Sequence, residues 1–121
     1  SNKKTICLDG DGSFLMHLGS IKTIGTFGNN NLKYILLNNN MHDSVGGQST
    51  YAKNIDLNKF SKSLGFKNFY SIKDRLNLKK KLKNFLNGKN LNFLEVKVSN
   101  SQLKKLPRPR NLLKIKNEFM K

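Results

Sequence analysis

The sequence is poor in several residue types, and each shortage excludes something. Cys7 is the single cysteine, so no intrachain disulfide can form and no zinc-finger spacing exists. It sits in the apolar run Thr5, Ile6, Cys7, Leu8, which predicts a buried thiol in a reducing compartment, the cytoplasm by default. No run approaches the roughly 20 apolar residues that span a bilayer, and the N-terminus lacks the apolar region of a signal peptide. A soluble protein with no membrane partner is expected. Asp and Glu number only 7 against 23 Lys and Arg, for a net charge of +16. That excess would point to nucleic acid if it were clustered and rich in arginine. Arginine, however, occurs only at Arg75, Arg108 and Arg110, while lysine is dispersed among abundant asparagines such as Asn29-Asn30-Asn31. Surface loading of Lys and Asn explains the charge, and no helix-turn-helix is visible, so no nucleic-acid partner is expected.

What is present suffices for one core. A chain of 121 residues with 36% hydrophobic content makes one compact domain and not two. Lys4 to Leu8 reads as a buried strand stopping at Asp9-Gly10-Asp11-Gly12. A helix from Ser13 to Phe27 follows, with Phe14, Leu18, Ile21 and Ile24 at helical spacing, Ser13 as N-cap or first-turn residue and Gly28 as its stop. Gly19 and Gly25 within it predict close packing against a sheet. Leu32 to Leu37 reads as a second buried strand, and the polar stretch from Asn38 to about Tyr51 as a functional loop. Asp56 caps a short helix ended by Gly65, a strand lies near Lys67 to Ile72, Asp74 opens a helix ended by Gly88, and Asn92 to Val98 is the last strand. Alternating strands and helices imply right-handed crossovers: an α/β fold, a mostly parallel sheet with helices on both faces. Residues 1–98 form the domain, and 99–121 read as an extended arm ending in a helical turn, because Pro107 and Pro109 forbid a continuous helix.

In such sheets ligands sit at the carboxyl ends of the strands. Two turns occupy that position, Gly10-Asp11-Gly12-Ser13 and Asn38-Asn39-Asn40-Met41, separated by one helix and one strand. Asp11 can offer a carboxylate oxygen, Asn39 an amide oxygen and Met41 its backbone carbonyl to one cation. Oxygen-only ligation with a single carboxylate suits Mg²⁺ completed by phosphate oxygens. Amides after Gly12 would receive that phosphate, and Gly12 lets it approach the backbone. An EF-hand reading fails, since Phe14 and Ser20 stand where Gly and Glu are needed.

Gly10-Asp11-Gly12, a helix and strand, then Asn38-Asn39, resembles the signature of thiamine-diphosphate enzymes. The segments Cys7 to Gly12, Leu15 to Ser20, His42-Asp43-Ser44-Val45-Gly46-Gly47-Gln48 and the tail with Arg108-Pro109 are similar to phosphonopyruvate decarboxylases, with sulfopyruvate decarboxylases second and acetolactate-synthase-like enzymes a further alternative. The resemblance implies decarboxylation of a small anionic 2-oxoacid with thiamine diphosphate and Mg²⁺. It places the metal on Asp11, Asn39 and Met41, and the diphosphate beside Gly10, Asp11, Gly12 and Ser13. His42 and Asp43, just past the metal turn, are candidate catalytic residues; His17, mid-helix, is expected to be structural. Asn40 stands where a glycine is commoner and fits if its φ is positive. The resemblance further implies a homo-oligomer and a pyrimidine-binding domain, on the same or a partner chain, that supplies a glutamate. The chain begins at Ser1-Asn2 with the strand that feeds Gly10, so it is expected to be cut from a longer protein whose first strand and helix of this fold precede it.

Overall fold

The computed structural model describes residues 3–100 and 110–121. In chain order the elements are β1 (Thr5–Gly10), α1 (Asp11–Met16), α2 (Leu18–Phe27), β2 (Leu32–Asn38), α3 (Leu57–Leu64), β3 (Asn68–Ile72), α4 (Leu78–Asn87), β4 (Asn92–Lys97) and α5 (Leu112–Phe119), with short 3-10 turns at Asp43–Val45 and Ala52–Asn54. The four strands form one parallel sheet in the order β1-β2-β4-β3. The expected α/β class, with helices on both faces, is what forms. Among the described residues no helix is long and apolar enough to cross a membrane.

The two central strands carry the core because both of their faces are covered, which is why they read as nearly continuous apolar runs. On one face Tyr34, Leu36 and Phe93 pack against Phe14, Ile21, Leu57 and Phe66 from α1, α2, α3 and the segment after α3. Phe93 is the hub: its ring centroid lies 5.1 Å from Tyr34, 5.2 Å from Phe66 and 5.8 Å from Phe14, within the range of favourable aromatic pairs. On the other face Ile35, Ile72 and Leu94 pack against Phe85 of α4. Register then fixes the site. Gly10 of β1 is paired with Leu37 of β2, and Asn38 with Lys97 of β4, so the chain leaves β1 and β2 side by side.

Several local expectations are corrected. Among the described residues β1 ends the strand order and is not buried: Ile6 is 48% and Leu8 66% exposed, and Cys7 is only half-buried. Burial and the neighbouring Asp9 carboxylate still push the Cys7 thiol up. β1 runs through Asp9 to Gly10, and the helix begins at Asp11 itself, with Gly10 as its cap and Ser13 in its first turn. The single helix expected to Phe27 is broken at His17 (φ −124°, ψ 35°). There the imidazole Nδ1 lies 3.0 Å from the Ser13 carbonyl, a local side-chain bond that competes with the helical ladder. Gly25 packs on the end of α3 rather than on the sheet, and a Cβ on Gly19 would meet nothing. Asp56 caps α3 through Lys59 N at 3.0 Å, and Gly65 ends it with φ +116°, as expected. Asp74 does not open α4; its carboxylate accepts from Asn77 N, and the helix starts one residue later. The proline segment of the expected arm lies outside the described residues, but the arm's end is an eight-residue helix, α5, rather than a single turn.

Candidate functional site

The first wall of the site is the passage from β1 to α1. Asp9 anchors it: Oδ1 accepts from Gly10 N at 2.9 Å, and Oδ2 accepts from the Tyr34 hydroxyl. Burial, together with that hydrogen bond to Asp9, holds the Tyr34 phenol well above its ordinary pKa. Asp11 follows, 2% exposed, a carboxylate carried into the interior by the first residue of α1. Its Oδ2 accepts from Thr50 Oγ1 at 2.5 Å, so its partner there is a neutral hydroxyl rather than a cation.

The second wall is the turn after β2, and its shape is written by asparagine side chains. Asn38, buried, donates to Glu95 Oε1 at 2.8 Å, while Glu95 Oε2 accepts from Ser71 at 3.0 Å, tying the end of β2 to β4 and β3. Asn38 Oδ1 then accepts from Asn40 N, and Asn39 Oδ1 from Met41 N, two overlapping turns in which asparagine bonds the backbone two residues on. Asn40 takes φ +59°, the left-handed conformation that Asn tolerates. Asn39 Nδ2 donates to Asp43 Oδ2 at 2.7 Å, which fixes the direction of the Asn39 amide.

From Met41 the chain folds back on itself. His42 N donates to Gln48 O at 2.8 Å, Met41 bridges Ser49, and Gly46 and Gly47 turn the loop with φ +114° and +77°. The return has two effects. It lays the His42 imidazole over Gly12, where a Cβ would stand 2.5 Å from Nδ1, and it brings Thr50 to Asp11.

The two walls enclose a cavity of about 730 Å³. All eight residues singled out in the sequence, Gly10, Asp11, Gly12, Ser13, Asn39, Met41, His42 and Asp43, line it. His17 does not; at the end of α1, its imidazole contacts the Ser13 carbonyl. The sequence reading did not single out the apolar side of the cavity, Met16, Leu37, Val45 and Val98, nor Thr50 behind Asp11. The apolar residues arrive from four separate segments, and the Thr50 to Asp11 contact spans 39 residues, so no local pattern announces either.

Residues 1–96 match the family described as thiamine pyrophosphate enzyme, C-terminal TPP binding domain. The chain belongs to this family. Among similar curated proteins, a phosphonopyruvate decarboxylase of Streptomyces viridochromogenes is 40% identical over 65 residues, 54% of this chain and 16% of that protein. A sulfopyruvate decarboxylase subunit beta of Methanothermobacter thermautotrophicus is 40% identical over 80 residues, 66% of this chain and 43% of that subunit. A subunit of the same description from Methanocaldococcus jannaschii is 41% identical over 63 residues, 51% of this chain and 34% of that subunit. The chain thus matches less than half the length of each of these relatives.

The residues present suit the family's cofactor. Gly12 carries no side chain beneath His42, so backbone is presented to the cavity where any Cβ would collide with the imidazole. Among the described residues no group of three or more His, Cys, Asp or Glu side chains converges. Asp11, with its buried carboxylate, lines the same cavity as Asn39 and Met41, and carboxylate, amide and carbonyl oxygens are donor types that Mg²⁺ takes together with phosphate.

Proposed function

We propose that this chain is the diphosphate-holding and Mg²⁺-holding domain of a thiamine-diphosphate-dependent decarboxylase of a small anionic 2-oxoacid, phosphonopyruvate first. The observation that carries the reading is the convergence of the Gly10-Asp11-Gly12 and Asn38 to Met41 turns on one cavity, with the Asp11 carboxylate buried at their junction. Asp11, Asn39 and Met41 would ligate Mg²⁺ through a carboxylate, an amide and a backbone oxygen, and Gly10, Gly12 and Ser13 would receive the diphosphate. Bound thiamine diphosphate supplies the electron sink that loss of CO₂ from a 2-oxoacid requires. His42, over Gly12, is the titratable group of this domain suited to hold or pass a proton near the reacting atoms. Asp43 serves as the orienting partner of Asn39 as well as a candidate in the same proton path. Met16, Leu37, Val45 and Val98 give the cavity an apolar side that would help shield a bound cofactor from water.

Sulfopyruvate is the second reading, supported by a relative of that name that matches 80 residues at the same identity as the 65 matched by a phosphonopyruvate decarboxylase. Relatives described as beta subunits support a partner chain, which would carry the pyrimidine-binding domain, in an oligomeric enzyme. The dispersed lysines and scarce arginines support no nucleic-acid role. Steady-state turnover of phosphonopyruvate, sulfopyruvate and pyruvate by the full-length protein, with its partner chain where there is one, is the test. Highest kcat/KM with phosphonopyruvate is expected. Preference for sulfopyruvate selects the second reading, and decarboxylation of none of the three overturns both.

A further inference from the structure

The loop after Met41 returns Thr50 to a position where three hydrogen bonds meet. Its backbone N–H donates to the carbonyl of Asn40 at 3.1 Å, inside the turn that presents Asn39 and Met41. Its hydroxyl donates to Asp11 Oδ2 at 2.5 Å, and the same oxygen accepts from Ala52 N at 3.4 Å. Thr50 is 7% exposed and Asp11 2% exposed, so neither is held in place by solvent. One residue therefore links the two turns whose oxygens converge on the cavity.

We infer that Thr50 is a positioning residue of the metal site: it fixes the Asp11 carboxylate and sets its distance from the Asn38 to Met41 turn. The assignment deepens the function proposed above and rests on Asp11 as a metal ligand. The chemistry favours it for two reasons. A carboxylate has two oxygens and several acceptor directions, and a hydroxyl donor on Oδ2 leaves Oδ1 to face a cation while forbidding rotation of the group. A neutral donor also leaves the full negative charge available to the ion, which an arginine or lysine in the same place would partly cancel. The two Gly residues that turn the loop, Gly46 and Gly47, and the His42 to Gln48 pairing are what give this segment the length and direction to come back.

The isosteric change Thr50→Val removes the donor and keeps the shape, Thr50→Ala removes it with less apolar bulk, and Thr50→Ser restores it. In the full-length protein the readouts are the Mg²⁺ dissociation constant, by calorimetric titration at fixed thiamine diphosphate, and the melting temperature of the metal-free protein. The expected result is a metal affinity lowered about 10- to 100-fold in the valine and alanine variants, as for loss of other groups that orient metal ligands. The serine variant should return to within about threefold of the wild type, a smaller loss than that range. Wild-type metal affinity in a folded valine or alanine variant, or a serine variant as weak as they are, overturns the inference. Asp11→Asn is the control that separates the two levels. If it abolishes metal binding while the Thr50 variants bind normally, only the role of Thr50 fails; if it too binds Mg²⁺ normally, the proposed metal site fails with it.

Discussion

His42 lies against Gly12 so closely that the glycine's missing side chain is part of the cavity: a Cβ there would stand 2.5 Å from Nδ1 and 2.7 Å from Cε1 of the imidazole. The ring cannot retreat freely, since its backbone N–H is held by Gln48 and its carbonyl accepts from Gly47. Gly12→Ala should leave the domain folded, because alanine gains about 1 kcal/mol of helix propensity in α1, yet displace the imidazole into the cavity. Thiamine diphosphate affinity should fall at least about tenfold, the equivalent of roughly 1.4 kcal/mol. Calorimetric titration of the folded variant checks this, and wild-type affinity would show that His42 and the cofactor do not share that space.

Asp11 and Asn39 should differ in what their loss costs. Asp11→Ala removes the one carboxylate assigned to the cation and should abolish Mg²⁺-dependent cofactor binding. Asn39→Ala removes a neutral oxygen and should weaken it less than the loss of the Asp11 carboxylate does. The check is cofactor titration with and without Mg²⁺ in the intact enzyme. Unchanged affinity in the Asp11 variant would remove the metal site from this cavity.

How much of this was legible before the fold was seen depends on whether the governing contact is local. The Asp56 cap, the Gly65 stop and the left-handed Asn40 were readable, because each obeys rules that span three or four residues. So was the pairing of the two turns, since one crossover sets their register, Gly10 beside Leu37. The exposure of β1 is not written in its own residues: Ile6 and Leu8 have the same apolar character as Ile35 and Leu36, and among the described residues only the strand order puts one pair at the end of the sheet. The break at His17 was hidden for a different reason, as a side-chain bond to the Ser13 carbonyl interrupts an apolar spacing that continues on both sides. Thr50 illustrates the limit most clearly, a buried hydroxyl whose partner is 39 residues away.

Gly25 and Gly65 join α2 to the end of α3 backbone to backbone. A Cβ on Gly25 would be 2.1 Å from the Leu64 carbonyl oxygen, and one on Gly65 would be 2.3 Å from the Gly25 carbonyl oxygen, with φ +116° at Gly65 adding strain for any L side chain. Both obstacles are main-chain atoms, which cannot swing aside. Gly25→Ala should therefore destabilise the fold by about 2–3 kcal/mol, as overpacking does, although alanine is the better helix former. Urea denaturation measures it. A variant as stable as the wild type would mean that the two helices separate without cost.

The last prediction concerns alkaline pH and the bond from Tyr34 to Asp9. Tyr34 is fully buried, and burial first, then the hydrogen bond to Asp9, raises its phenol above the ordinary value of 10.0. In the unfolded chain the phenol ionises near that ordinary value, while in the folded protein it stays protonated to higher pH. The folded state thus binds the extra proton, and the associated stability is complete below about pH 10 and lost as pH rises beyond it, by about 1.4 kcal/mol per pH unit. Tyr34→Phe abolishes this dependence but also forfeits one hydrogen bond, worth about 1 kcal/mol at neutral pH. Stability measured by urea denaturation should therefore favour the wild type near pH 8, and the difference should close by about pH 11. Lysines and exposed tyrosines that ionise alike in both states cancel in this comparison. Parallel pH profiles for the two proteins would show that the Tyr34 hydroxyl reaches water, and that Asp9 is anchored beside Gly10 by the backbone alone.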